Sequence, residues 1–158
     1  MKKRIILVCL LVVTLGLTGC GTDEVKELNC SRTATIAEGV DVDFSYKVTY
    51  KGDYVELVET EEKVISDDTD VLETYKTSIE SIYSPYKDVE HYEYNVDISG
   101  NTLTSTTKID YSKIDTDQLI EIDSANGTLI KDGKINIEDI RSAYCLLYTL
   151  TLPTNREV

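Results

Sequence analysis

An α+β fold follows from three features of the chain. Two stretches alternate apolar and polar residues with a period of two and fold back at turns, a helical period separates them, and a second helical period lies near the C-terminus. Such a pattern is buried by an antiparallel sheet of two long hairpins, with the intervening helix and the C-terminal helix packed on one face. The chain has 158 residues, 41% hydrophobic and 28% charged, which suits one domain with its own core.

Taken in order, residues 1–19 carry the parts of a secretory signal: basic Lys2-Lys3-Arg4, the apolar run Ile5–Val13, and small residues before Cys20. The run is shorter than the roughly 20 apolar residues of a spanning helix. Leu17-Thr18-Gly19-Cys20 resembles a lipobox, in which the cysteine thiol takes a diacylglycerol, so Cys20 is the expected lipidation site and the membrane the expected partner. Residues 20–28 then form the lipidated cysteine and a short polar tether, and residues 29–158 the single α+β domain. The expected location is the extracytoplasmic face of the cell membrane.

Within the domain, a first strand is expected over Cys30–Ala37. In the stretch from Val40 to Tyr50, residues Val40, Val42, Phe44, Tyr46, Val48 and Tyr50 occupy every second position, which sends one set to a core and the other to water. Lys51-Gly52-Asp53 is a turn, and Tyr54–Ile65 returns as the partner strand. Val71, Leu72, Tyr75, Ile79, Ile82 and Tyr83 recur at helical spacing, with N-cap candidates in Asp67-Asp68-Thr69-Asp70 and a stop before Pro85. Asp70 and Glu73 have capping-box spacing. The acidic cluster lacks calcium-loop spacing and reads as helix capping.

Tyr92, Tyr94, Val96 and Ile98 restore the period of two, with His91, Glu93, Asn95 and Asp97 on the polar phase. Ser99-Gly100-Asn101 turns the chain into a strand carrying Leu103, Ile109 and Tyr111 on one face. A short helical turn is expected at Asp115–Ile120, and Asn126-Gly127 and Asp132-Gly133 are turn dipeptides. Asn136 caps a last helix with the buried stripe Ile137, Ile140, Tyr144 and Leu147.

The net charge of −13, from 29 acidic and 16 basic side chains, excludes a nucleic-acid binder. Loss of Lys2, Lys3 and Arg4 with the signal moves it to −16. Cys9 leaves with the signal, so Cys30 and Cys145 remain to form a disulfide, to stay as thiols or to hold a metal. The metal reading is poor, because zinc wants four ligands and His91 is the single imidazole. No metal or other cofactor is expected.

Catalytic residues are not expected either. His91 has no Gly-x-Ser-x-Gly elbow to serve, and phosphate-cradling glycine loops are absent. Eleven tyrosines against one phenylalanine offer two readings. Tyr46, Tyr50, Tyr92 and Tyr94 are candidates to stack a ligand, or they pack a half-buried sheet with their hydroxyls in water.

The chain resembles the YehR-like bacterial lipoproteins. The resemblance rests on the lipobox, on Tyr50-Lys51-Gly52-Asp53, on Tyr86-Lys87-Asp88-Val89 and on Lys108-Ile109-Asp110-Tyr111-Ser112-Lys113-Ile114-Asp115. Cys30-Ser31-Arg32-Thr33 and Tyr144-Cys145 look like the paired cysteines of Gram-positive members, although this chain continues past Cys145 to Val158. The resemblance implies a fold and a location, since the family has no settled activity. The functional expectation is a non-enzymatic binding or interaction module at the cell envelope, with an envelope protein or small ligand as partner. The alternative is a carboxylate-dependent hydrolase of cell-wall glycan.

Overall fold

The computed structural model describes residues 24–146, with side chains described through residue 143. Cys20 and the lipobox, the side chains of Tyr144 and Cys145, and Leu147 lie outside the described residues.

The element order is β1 (Val25–Ala37), β2 (Val40–Lys51), β3 (Tyr54–Ile65), α1 (Thr69–Tyr83), a 3-10 turn (Ser84–Tyr86), β4 (Tyr92–Ser99) and β5 (Thr102–Asp110). After these come α2 (Thr116–Ile122), a second 3-10 turn (Ser124–Thr128), β6 (Ile130–Lys131), β7 (Lys134–Ile135), α3 (Ile137–Ile140) and a π-helical turn (Arg141–Leu146). The architecture is the expected α+β. Five antiparallel strands pair in the order β1-β2-β3-β5-β4, so the second hairpin joins the first through β3 and β5.

β1 begins at Val25, inside the segment expected to be a tether. Its charged Lys26 and Glu27 hide the strand from a hydrophobic pattern, yet the backbone pairs in register with β2 from Val25↔Lys51 onward. A bulge in β2–β3 between Thr49 and Tyr50 leaves Glu56 without a partner in the ladder. It lets Val55 and Val58, an odd and an even residue, both reach the core.

One face of the sheet is covered and the other is open. Asp68, one of the four N-cap candidates, caps α1, its Oδ1 accepting from the Asp70 N–H at 2.9 Å and the Val71 N–H at 3.4 Å. α1 buries Leu72 and Ile79 against Val40, Val42, Val64 and Leu103. A second cluster, toward the other end of the same face, gathers Val48, Val58, Tyr86, Leu119, Ile135 and Ile140 among others. Each fully buried aliphatic side chain contributes about 1.5–3 kcal/mol relative to exposure.

Ile82, expected in the buried stripe, is 63% exposed. The chain leaves the helix through the Ser84–Tyr86 turn, and Tyr86 takes the buried place instead. His91 precedes β4 rather than lying in it. It is exposed, with a left-handed φ of 66°.

Asp132 and Gly133, both at positive φ, join β6 to β7 in a two-residue hairpin. Asn126-Gly127 falls inside the second 3-10 turn. Asn136 caps α3 as expected, its Oδ1 accepting from the Glu138 N–H at 2.8 Å, and Ile137 and Ile140 are buried. No helix among the described residues is long and apolar enough to cross a membrane.

Candidate functional site

The strand registers align the covered face into four rows that run across the sheet. The row Ala34–Val42–Val64–Leu103–Ile98 belongs to the α1 cluster, and Leu28–Val48–Val58–Ile109–Tyr92 to the other. Between them lie Arg32–Phe44–Glu62–Ser105–Val96 and Cys30–Tyr46–Thr60–Thr107–Tyr94. A polar strip on β3 and β5 therefore separates the two apolar clusters on the side where the helices sit.

A groove of about 340 Å³ opens over this strip. Thr60 and Thr107 form part of its lining and join Oγ1 to Oγ1 at 2.6 Å. Glu62 lines it one row away, half-buried, and burial holds its carboxyl above the ordinary value. Tyr46 and Phe44 rise from β2, and Tyr83 and Tyr86 descend from the end of α1 and the turn after it.

Aromatic pairing fixes these walls. Tyr86 stacks on Tyr92 with centroids 4.8 Å apart and planes 12° from parallel. Tyr83 meets Tyr94 at 5.6 Å and 41°. The Asn126 side-chain amide donates to the Tyr86 hydroxyl at 3.2 Å and to the Leu119 carbonyl at 2.8 Å, tying the second 3-10 turn to the same wall.

All four tyrosines singled out from the sequence stand on the covered face. Tyr46 and Tyr92 line the groove, Tyr50 packs against the apolar cluster under α2, and Tyr94 lies outside the groove in contact with Tyr83. Sequence reading missed Glu62, Thr60, Thr107, Tyr83 and Tyr86. Thr60, Glu62 and Thr107 do sit on the apolar phase of β3 and β5, and a polar residue on an apolar phase is a readable signal.

Glu61 and Glu62 are the acids in the groove's lining among the described residues. Successive strand residues point to opposite faces, so only Glu62 enters from the covered side. A glycoside hydrolase needs two carboxyl groups facing each other across the scissile bond. This groove does not provide that pair among the described residues. No group of three or more potential metal ligands occurs among them either.

The centre of the open face is polar, with Leu57 and Ile65 on β3 toward its two ends. Lys47 pairs with Glu27 at 3.1 Å and reaches Glu59 at 4.0 Å, and hydrogen bonding to Glu27 raises the Lys47 pKa. Lys108 stands between Glu59 and Glu93 in the register, continuing the alternation of sign.

Residues 32–142 match the model of a family described as a protein of unknown function, DUF1307. The chain belongs to the DUF1307 family. Its fold is similar to the NMR structure of Escherichia coli YehR, with a TM-score of 0.50 at 21% identity over 76% of this chain and 85% of that one. The resemblance to YehR-like proteins is thus borne out at the level of family and fold. A protein from Streptococcus pneumoniae TIGR4, also solved by NMR, aligns over 90% of this chain and 91% of its own at 15% identity and a TM-score of 0.46. No curated protein matches the chain. In DUF1307 terms, the matched span runs from β1 into the π-helical turn and includes every residue named in the groove.

Proposed function

We propose that this DUF1307 domain is a non-enzymatic binding module, anchored through a lipidated Cys20 at the extracytoplasmic face of the cell membrane, that holds a small ligand in the groove between its two apolar clusters. The observation that carries the reading is the strip Thr60–Glu62–Thr107. It interrupts an otherwise apolar face under a cavity with aromatic walls. Ligand sites combine such walls with a few placed polar groups.

The anchor rests on the lipobox. Four residues, 21–24, separate Cys20 from β1 and can reach at most about 13 Å at roughly 3.3 Å each, so the sheet edge would ride close to the bilayer. A Cys30–Cys145 bridge belongs to the same proposal. It is supported by the disulfide-bonded state of Cys30 and by the packing of the Arg141–Leu146 turn on β1.

Incorporation of labelled palmitate tests the anchor: Cys20→Ala should abolish it, and unchanged labelling overturns the assignment. Peptide mapping without reductant should recover one Cys30–Cys145 crosslinked species. A fragment screen followed by amide NMR tests the groove, with hits expected to move Tyr46, Thr60 and Thr107. Hits that consistently move other surfaces overturn it, and release of soluble glycan from cell walls by the purified domain overturns the non-enzymatic reading.

A further inference from the structure

The groove's polar strip carries one formal charge. Glu62 projects from the centre strand with Phe44 beside it on β2 and Ser105 beside it on β5. Among the described residues it forms no ion pair. Arg32, the cation in its row, lies beyond Phe44, with its guanidinium carbon 5.7 Å from that ring's centroid. A half-buried carboxylate without a counter-ion is costly, and matched apolar packing would remove the cost. The rings of Tyr46, Tyr83, Tyr86 and Tyr92 line the same groove, and aromatic faces attract cations. The Thr60 and Thr107 hydroxyls lie one row away and can accept from an N–H.

We infer that the groove selects a small organic cation, an ammonium group carrying an apolar arm, with Glu62 facing the charge and the tyrosine rings enclosing the arm. This rests on the reading of the groove as a ligand site and names the ligand's chemical class. An anion would face Glu62 at close range, and a neutral ligand would leave the carboxylate uncompensated. The net charge of −13 adds a long-range field of the same sign. The cavity of about 340 Å³ sits at the small end of ligand pockets and limits the ligand to one ring or a short chain.

Three shape-matched probes test the inference on the 15N-labelled domain at physiological salt: 2-phenylethylammonium, 2-phenylethanol and phenylacetate. The cation should move the amides of Tyr46, Thr60 and Thr107 and bind at least about tenfold more tightly than the alcohol, or roughly 1.4 kcal/mol. Glu62→Gln should erase that preference by lowering the cation's affinity at least about tenfold, with the amide spectrum of the free variant reporting an intact fold. Equal binding of cation and alcohol to wild type, or a preference that survives Glu62→Gln, overturns the cation assignment and leaves the groove as a ligand site. Failure of all three probes to move the groove amides overturns both.

Discussion

Thr60 Oγ1 and Thr107 Oγ1 lie 2.6 Å apart across the β3–β5 pair, between two apolar clusters that would otherwise meet on the same face. One hydroxyl donates to the other, so the sheet centre stays polar without a buried orphan among the described residues. Removing one hydroxyl leaves the second unsatisfied, whereas removing both replaces the pair by two methyl groups of similar shape. Thr107→Val should therefore cost about 1 kcal/mol. The Thr60→Val/Thr107→Val double variant should cost clearly less than the sum of its singles. Urea denaturation of the four-member cycle measures the coupling, and strictly additive costs would contradict the pairing.

Glu62 gives a pH signature of definite sign. Burial raises its folded pKa above the ordinary 4.5, so the folded state binds the proton more tightly than the unfolded one. Stability then falls as pH rises from 4.5 through the raised folded value. Glu62→Gln removes the desolvated charge and should stabilise the domain at pH 7, with the gain shrinking toward pH 4, where both wild-type states are mostly protonated. Denaturation midpoints at the two pH values check this. A gain independent of pH would assign the effect to something other than the charge.

The sheet was legible where alternation is strict. The even phase of Val40–Tyr50 faces the helices as read, because a period of two leaves no other choice once one face is buried. The helix from Thr69 to Tyr83 was legible for the same reason at its own period. The groove was not. It arises because Thr60 and Glu62 on β3 fall opposite Thr107 and Ser105 on β5, strands separated by α1 and β4, and no local pattern encodes that register. Nor could periodicity place Ile82, whose exposure depends on how the chain leaves α1.

Asp110 has the opposite linkage to Glu62. Hydrogen bonds from Lys113 at 2.7 Å and Ser112 at 2.5 Å hold its carboxyl below the ordinary 3.8. Its contribution is therefore complete above that value and is lost as pH falls through the lower folded pKa. Asp110→Asn should cost within the roughly 0.2–1 kcal/mol of exposed ion pairs at pH 7. The difference from wild type should shrink in acid, and a cost undiminished at low pH would point to shape rather than charge.

Asn126 joins two walls of the groove through one amide group. Its Nδ2 donates to the Tyr86 hydroxyl and the Leu119 carbonyl, and that carbonyl also accepts from the Asp123 N–H at 3.0 Å. Because the carbonyl keeps its second partner, Asn126→Ala should cost about 1 kcal/mol rather than the full penalty of a buried orphan. The loss should also free the Tyr86 ring, which stacks on Tyr92 at 4.8 Å. The near-UV circular dichroism of the tyrosines should weaken in Asn126→Ala, and it should hold in a control, Asn95→Ala, at an exposed position on β4. An unchanged tyrosine signal in the Asn126 variant would mean that the ring pair orients itself without the amide.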